Sequence, residues 1–128
     1  IEEKNYSNSA TFLGSLTQEK LAEELRSTDL LLHTSPFESF GLIAVEANAC
    51  GTPVLTLNNG SLREIVIDNI NGLVTENFNN DKVNNFVNIA LLDKEKSSLI
   101  RKNSYESSEI YSWEKTGINI MSIYEQLA

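Results

Sequence analysis

Asp29-Leu30-Leu31-Leu32-His33-Thr34-Ser35-Pro36-Phe37-Glu38-Ser39-Phe40-Gly41-Leu42-Ile43-Ala44-Val45-Glu46 holds the patterns that decide the fold. Asp29 to His33 carries three consecutive leucines, the continuous apolar run of a strand buried on both faces. A helix follows from about Gly41 to Ala49, ended by Cys50 and Gly51. Pro53 then opens a second strand, Val54 to Leu57, at the first position, where a missing N–H is tolerated. Strand, loop, helix and strand in that order predict an α/β architecture with a parallel sheet.

The alternation continues outward. Upstream, Ala10 to Leu13 reads as a short strand closed by Gly14. Thr17 is placed to cap a helix over about Gln18 to Arg26, with Leu16 and Leu21 spaced as a hydrophobic staple. Downstream, the turn Asn58-Asn59-Gly60 leads to a short helix opened by Ser61, and Glu64 three residues on completes a capping-box spacing. Asn71-Gly72 enters a strand at Leu73 and Val74. The next helix, about Asn80 to Leu92, puts Val83, Phe86, Val87, Ala90 and Leu91 on one face. Two further helices are expected over about Lys94 to Ile110 and Trp113 to Leu127, the latter with apolar Ile118, Met121 and Tyr124.

Composition narrows the function classes. A length of 128 residues, 41% of them hydrophobic and 22% charged, is that of one ordinary globular domain. Cys50 is the single cysteine, so no internal disulfide forms, which fits a reducing, cytoplasmic setting. The net charge is −8 with no basic stripe, which argues against a nucleic-acid partner. Lys94, Lys96, Arg101 and Lys102 form a loose basic group, read as a solvated helix face in preference to an anionic-membrane patch. No apolar run approaches the roughly 20 residues that span a bilayer, and no signal-peptide pattern is present. The chain opens with Ile1, and Met121 is its one methionine, which reads as a fragment or processed product.

The chemistry concentrates between Ser35 and Ala47. In open parallel α/β sheets, ligands bind in the crevice outside the carboxyl ends of strands. The N–H groups of Phe40, Gly41 and Leu42 are expected to be free at the helix start, where they and the helix dipole attract a phosphate. Gly41 lacks a Cβ and admits a ligand close to the backbone. Glu38 falls just before that helix and Glu46 about one and a half turns inside it, so both can face one cleft. An ionised carboxylate accepts from a pair of neighbouring hydroxyls, so a sugar diol, a ribose diol and phosphates between them match the layout. The blander readings stand beside this one: Glu46 as a solvated helix residue, Glu38 as a loop or cap residue. Metal binding is disfavoured because neither His nor a further Asp clusters with the pair. His33, the lone histidine, reads as a satisfied structural residue before a ligand contact. Asn59-Gly60-Ser61 forms a second rim turn. Glu64 is read as the capping partner of Ser61, Arg63 as undecided, and Cys50 as a packing residue.

At these residues the chain resembles the C-terminal, donor-binding domain of GT-B retaining glycosyltransferases, group 1 (the GT4 family). Asp29 to Ser35 resembles the family's strand ending in Pro-Ser. Glu38 to Glu46 resembles its E-x7-E motif, and Glu-Ala-Asn-Ala-Cys-Gly-Thr-Pro-Val at Glu46 to Val54 resembles its Glu-Ala-x-Ala-x-Gly-x-Pro-Val signature. Asn59 to Val66 and Asn71 to Val74 resemble its glycine loop and Asn-Gly-Leu strand. The resemblance implies a Rossmann-like, three-layer parallel sheet, here the partial C-terminal half of a GT-B fold. It makes residues 1–128 one incomplete nucleotide-sugar-binding domain with C-terminal helices over about 94–127.

Implied roles follow. Glu38 contacts the donor sugar and is the candidate catalytic residue. Glu46 holds the ribose. Ser39, Phe40, Gly41, Leu42, Asn59 and Gly60 complete the donor site, with no metal and no cofactor beyond the nucleoside diphosphate sugar. The intact enzyme would move a hexose to a glycan or lipid-linked acceptor with retention, in polysaccharide biosynthesis, using an N-terminal domain absent here. It would be cytoplasmic, with peripheral membrane contact an open option. The family's diphosphate-binding Arg and Lys have no equivalents in this chain, so the fragment alone is expected to be inactive. The strands map to the third through sixth of the family order 3-2-1-4-5-6. That leaves an unpaired interior edge that invites self-association. The alternatives are a nucleotide-sugar epimerase of the same fold, a non-catalytic nucleotide-binding module and a degenerate scaffold.

Overall fold

In the computed structural model, which describes residues 9–58 and 60–127, three short strands form a parallel sheet in the order β1-β2-β3. They are β1 (Leu31–His33), β2 (Val54–Leu57) and β3 (Gly72–Thr75). Leu31 pairs with Val54, and Leu55 with Leu73. Helices α1 (Gln18–Ser27), α2 (Leu42–Ala49) and α3 (Leu62–Ile65) precede or connect the strands. Then come α4 (Asp81–Leu92), α5 (Lys94–Ser108), a 3-10 turn at Glu109–Tyr111 and α6 (Trp113–Leu127).

Side-chain alternation along the strands divides the core in two. Val54 joins Leu25, Ala44, Ala47, Leu62, Ile65 and Val66 on the face covered by α1, α2 and α3. Leu55 and Leu73 turn the other way, onto Val83 and Phe86 of α4 and Ile100 of α5. The result is an α/β, three-layer parallel fold.

Local signals account for most element ends. Lys20 N–H donates to Thr17 Oγ1 at 3.4 Å, and Val83 N–H donates to Asn80 Oδ1 at 2.9 Å. After α2, Gly51 adopts φ +72°, Gly51 N–H donates to Asn48 O and Thr52 N–H donates to Ala47 O. That is a Schellman ending, open to glycine because of the positive φ. It turns the chain straight into β2.

Five expectations need correction. Ala10 to Leu13 is not a strand: its backbone finds no partner strand among the described residues, and Phe12 is fully exposed. A lone extended tetrapeptide leaves its N–H and C=O groups to water. Strand β1 is not buried on both faces, because Leu32 is 54% exposed. Leu32 shares the α4 side with Leu55, but β1 lies at the sheet edge, beyond α4's cover. Leu91 is exposed as well; Ile89 takes its place against the core. The Ser61–Glu64 capping box does not form. Ser61 sits at φ −77°, ψ −15°, a helical conformation that aims its hydroxyl away from the helix N–H groups. Last, Arg101 is not solvated: it donates to Thr28 O at 2.7 Å and Arg26 O at 3.0 Å, tying the end of α1 to α5.

Candidate functional site

The carboxyl ends of β1 and β2 carry two loops, which among the described residues comprise residues 34–41 of the first and Asn58, Gly60 and Ser61 of the second. Gly60 explains how closely they approach. A Cβ there would come within 2.3 Å of Glu38 O, and φ is +49°, so glycine answers both the space and the backbone requirement. Next to it, Ser61 Oγ donates to Phe40 O at 2.5 Å. Gly41, in the left-handed region at φ +93°, turns the chain into α2, and its missing Cβ leaves room for Leu62 and Ile65. The second loop therefore clasps the first.

Glu38 lies at the tip of α2. Its Oε1 accepts from the N–H groups of Ser39 at 3.0 Å, Phe40 at 3.3 Å and Gly41 at 3.1 Å. Its Oε2 lies 3.4 Å from His33 Nε2. The hydrogen bond from Phe40 N–H is the main cause holding the Glu38 carboxyl below its ordinary value, opposed by partial burial and assisted by the other two amides and by His33. The carboxylate is thus ionised and anchored. This corrects the expectation of free amides: the N–H groups of Phe40 and Gly41 are already taken by Glu38 itself. Leu42 N–H has no acceptor among the described residues.

Glu46 is half-buried on α2, and its carboxylate makes no hydrogen bond or ion pair among the described residues. At 1.5 Å rise per residue it sits roughly 6 Å along the axis from Leu42, on the same stripe four residues later. That stripe is open, since Leu42 is 65% exposed. Ser39 is exposed. Phe40 is 49% exposed and meets the Tyr111 ring edge-on, centroids 6.4 Å apart. Asn59 lies outside the described residues. Among the described residues, no three His, Cys, Asp or Glu side chains are grouped to hold a metal, and no helix is long and apolar enough to cross a membrane.

Two participants escaped the sequence reading. One is Tyr111, which braces the site from the far end of the chain, its hydroxyl donating to Glu64 O at 3.3 Å; no local pattern announces it. The other is His33, read as satisfied. Its Nδ1 is buried with no hydrogen-bond partner among the described residues. Its place at a strand's carboxyl end, five residues before Glu38, was the available signal. A cleft lined by Asp29, Ala90, Leu91, Asp93 and Arg101 opens at the amino end of β1. It is at the wrong end of a parallel sheet for the usual ligand crevice.

Residues 1–107 match the family model described as glycosyl transferases group 1. An uncharacterized glycosyltransferase of Methanocaldococcus jannaschii is 33% identical over 125 residues, covering 98% of this chain and 36% of the relative. The D-inositol 3-phosphate glycosyltransferase of Mycolicibacterium smegmatis is 32% identical over 125 residues, covering 98% of this chain and 28% of the relative. The chain therefore spans little more than a third of either relative at most. Among solved structures, sucrose-phosphate synthase from Thermosynechococcus elongatus aligns with a TM-score of 0.82 at 31% identity, over 96% of this chain and 31% of that one. Anabaena HepE in complex with UDP-glucose aligns at 0.71 and 30% identity, over 91% of this chain and 31% of that one.

Proposed function

Because the chain belongs to the group 1 glycosyl transferases, we propose that it forms the donor side of a retaining, GT4-type hexosyltransferase that takes a nucleoside diphosphate sugar. The observation that carries this reading is the likeness to HepE in its complex with UDP-glucose over 91% of the chain. UDP-glucose is accordingly the probe of choice.

The local chemistry supports it. Glu38 is held ionised with Oε1 spent on three amides, so its work on a sugar falls to Oε2 and the lone pairs His33 leaves open. Glu46, unpaired on the open stripe of α2, suits the ribose hydroxyls. Leu42 N–H and the positive end of α2 suit a phosphate oxygen. With Glu38 already drawing on that positive end and no Arg or Lys paired with it among the described residues, binding by this chain alone is weak. The acceptor, a glycan or a lipid-linked acceptor, is bound outside this donor side. Retention follows from front-side attack, with the departing phosphate taking the acceptor proton.

The test has two arms. Titration of the chain with UDP-glucose, followed by amide chemical shifts, should perturb residues 38–46 and Gly60 with low affinity. Tight unaided binding would identify a self-sufficient nucleotide-binding module. In the longer enzyme, Glu38→Ala and Glu46→Ala should each abolish transfer while leaving the fold intact; wild-type turnover by either variant refutes the assignment.

A further inference from the structure

His33 touches no donor group in that reading, yet its placement is unusual. Its side chain is only 11% exposed at the carboxyl end of β1, Nε2 is 3.4 Å from Glu38 Oε2, and Nδ1 is buried without a partner. A ring proton on Nδ1 would be a buried donor with nothing to bond, and Nε2 would then turn a lone pair toward a carboxylate oxygen. A proton on Nε2 removes the second of these, while Nδ1 is unbonded in either tautomer, so Glu38 is what selects between them. The tautomer is therefore dictated by the surroundings.

The consequence reaches Glu38. Three amides converge on the single oxygen Oε1, which pins one end of the carboxylate but leaves Oε2 free to swing about that anchor. His33 Nε2, 3.4 Å from Oε2, is the group placed to act as the second point. Two fixed points set the plane of the carboxylate, and the lone pairs of Oε2 not facing His33 are presented in one direction. We propose that His33 is a positioning residue: it carries its proton on Nε2, orients Oε2 of Glu38, and so sets how a donor-sugar hydroxyl is accepted. This rests on the reading of Glu38 as a donor contact.

His33 is the only histidine in the 128-residue chain, so its ring nitrogens can be read without assignment ambiguity. Long-range ¹H–¹⁵N spectra at mildly alkaline pH should show Nε2 protonated and Nδ1 bare. Glu38→Gln provides the sharper result. Its amide oxygen must stay on the three N–H donors, so its NH2 group faces His33, and the ring proton should move to Nδ1. A role confined to packing predicts no such exchange. His33→Gln, whose amide can donate from a similar position, should keep UDP-glucose affinity within about threefold of wild type; His33→Phe should lower it roughly tenfold, the loss expected for one hydrogen bond to a charged group. A protonated Nδ1, averaged tautomers in the wild type, or an unchanged tautomer in Glu38→Gln overturns the proposal. Should His33→Phe fail to fold, the wild-type spectrum still decides. The donor reading fails separately: unaltered UDP-glucose binding by Glu38→Ala sinks it while leaving a protonated wild-type Nε2 intact.

Discussion

At the scale of single residues, acidic groups that accept backbone N–H bonds tie stability to pH. The carboxyls of Glu38, Asp93 and Glu19 are all held below their ordinary values, chiefly by the N–H of Phe40, of Lys96 and of Glu19 itself. A depressed folded-state value stabilises the native state above the unfolded-state value, and the contribution is lost as pH falls through the folded one. The urea midpoint should therefore decline on acidification from about pH 4 downward, and Glu38→Gln with Asp93→Asn should flatten that limb. Tyr111 works in the opposite sense, its phenol pushed up by burial and by nearby Glu64. Its contribution is complete below the ordinary phenol value and disappears as pH rises past it, so Tyr111→Phe should remove an alkaline loss. A midpoint unchanged across both limbs defeats this account. The sequence made Glu38 legible as an acid at a helix tip, because Gly41 and the apolar periodicity after it locate that tip. It could not reveal that the tip's amides serve Glu38 itself. A one-residue hydrogen bond depends on backbone angles, which residue order does not supply.

Elements form where the deciding interaction is local and fail to form where it is not. Thr17 and Asn80 cap their helices because the donor each needs lies three residues on. Ser61 has the same spacing to Glu64, yet its hydroxyl bonds Phe40 O, 21 residues away. The preference is set by the approach of two loops, and Gly60 makes that approach possible. Glycine substitutions can separate the local from the distant. Gly60→Ala drives a Cβ to 2.3 Å from Glu38 O at a positive φ and should destabilise by about 1–3 kcal/mol. It should also perturb the Glu38 amide contacts. Gly117, inside α6 with open space where a Cβ would stand, should do the reverse: Gly117→Ala removes backbone freedom from the unfolded chain and stabilises by about 0.5–1 kcal/mol if α6 unfolds with the rest. Urea midpoints read both signs. Equal effects from the two substitutions would mean that loop clasping is not what constrains Gly60.

At the scale of the whole molecule, apolar surface is distributed unevenly. The sheet's two faces are sealed around Val54, Leu55 and Leu73, whereas α6 has no buried residue at all. Ile118, Met121 and Tyr124 are each more than half exposed, as is Trp113 at the start of the same helix. Periodicity alone made α6 legible as a helix; it could not say whether the stripe has a partner, since a buried and an unpartnered stripe read alike. Strand β1 adds an open edge, with β2 on one side and no strand on the other among the described residues. Apolar patches and unpaired edges both favour association between chains. The chain alone should show an average mass in sedimentation that rises with concentration. Ile118→Gln, Met121→Gln and Tyr124→Gln together should lower that mass toward the monomer. Since these side chains are mostly exposed in the fold, each should shift the unfolding free energy by no more than about 0.5 kcal/mol. Phe86→Ala, in the α4 core, should cost about 3–5 kcal/mol by contrast. If the α6 substitutions destabilise as Phe86→Ala does, the helix packs on the body of the fold and its exposure is not a property of the protein in solution. A mass that stays high after the substitutions would instead move the association to β1, where Leu32→Lys places a charge on the open edge strand and should abolish it.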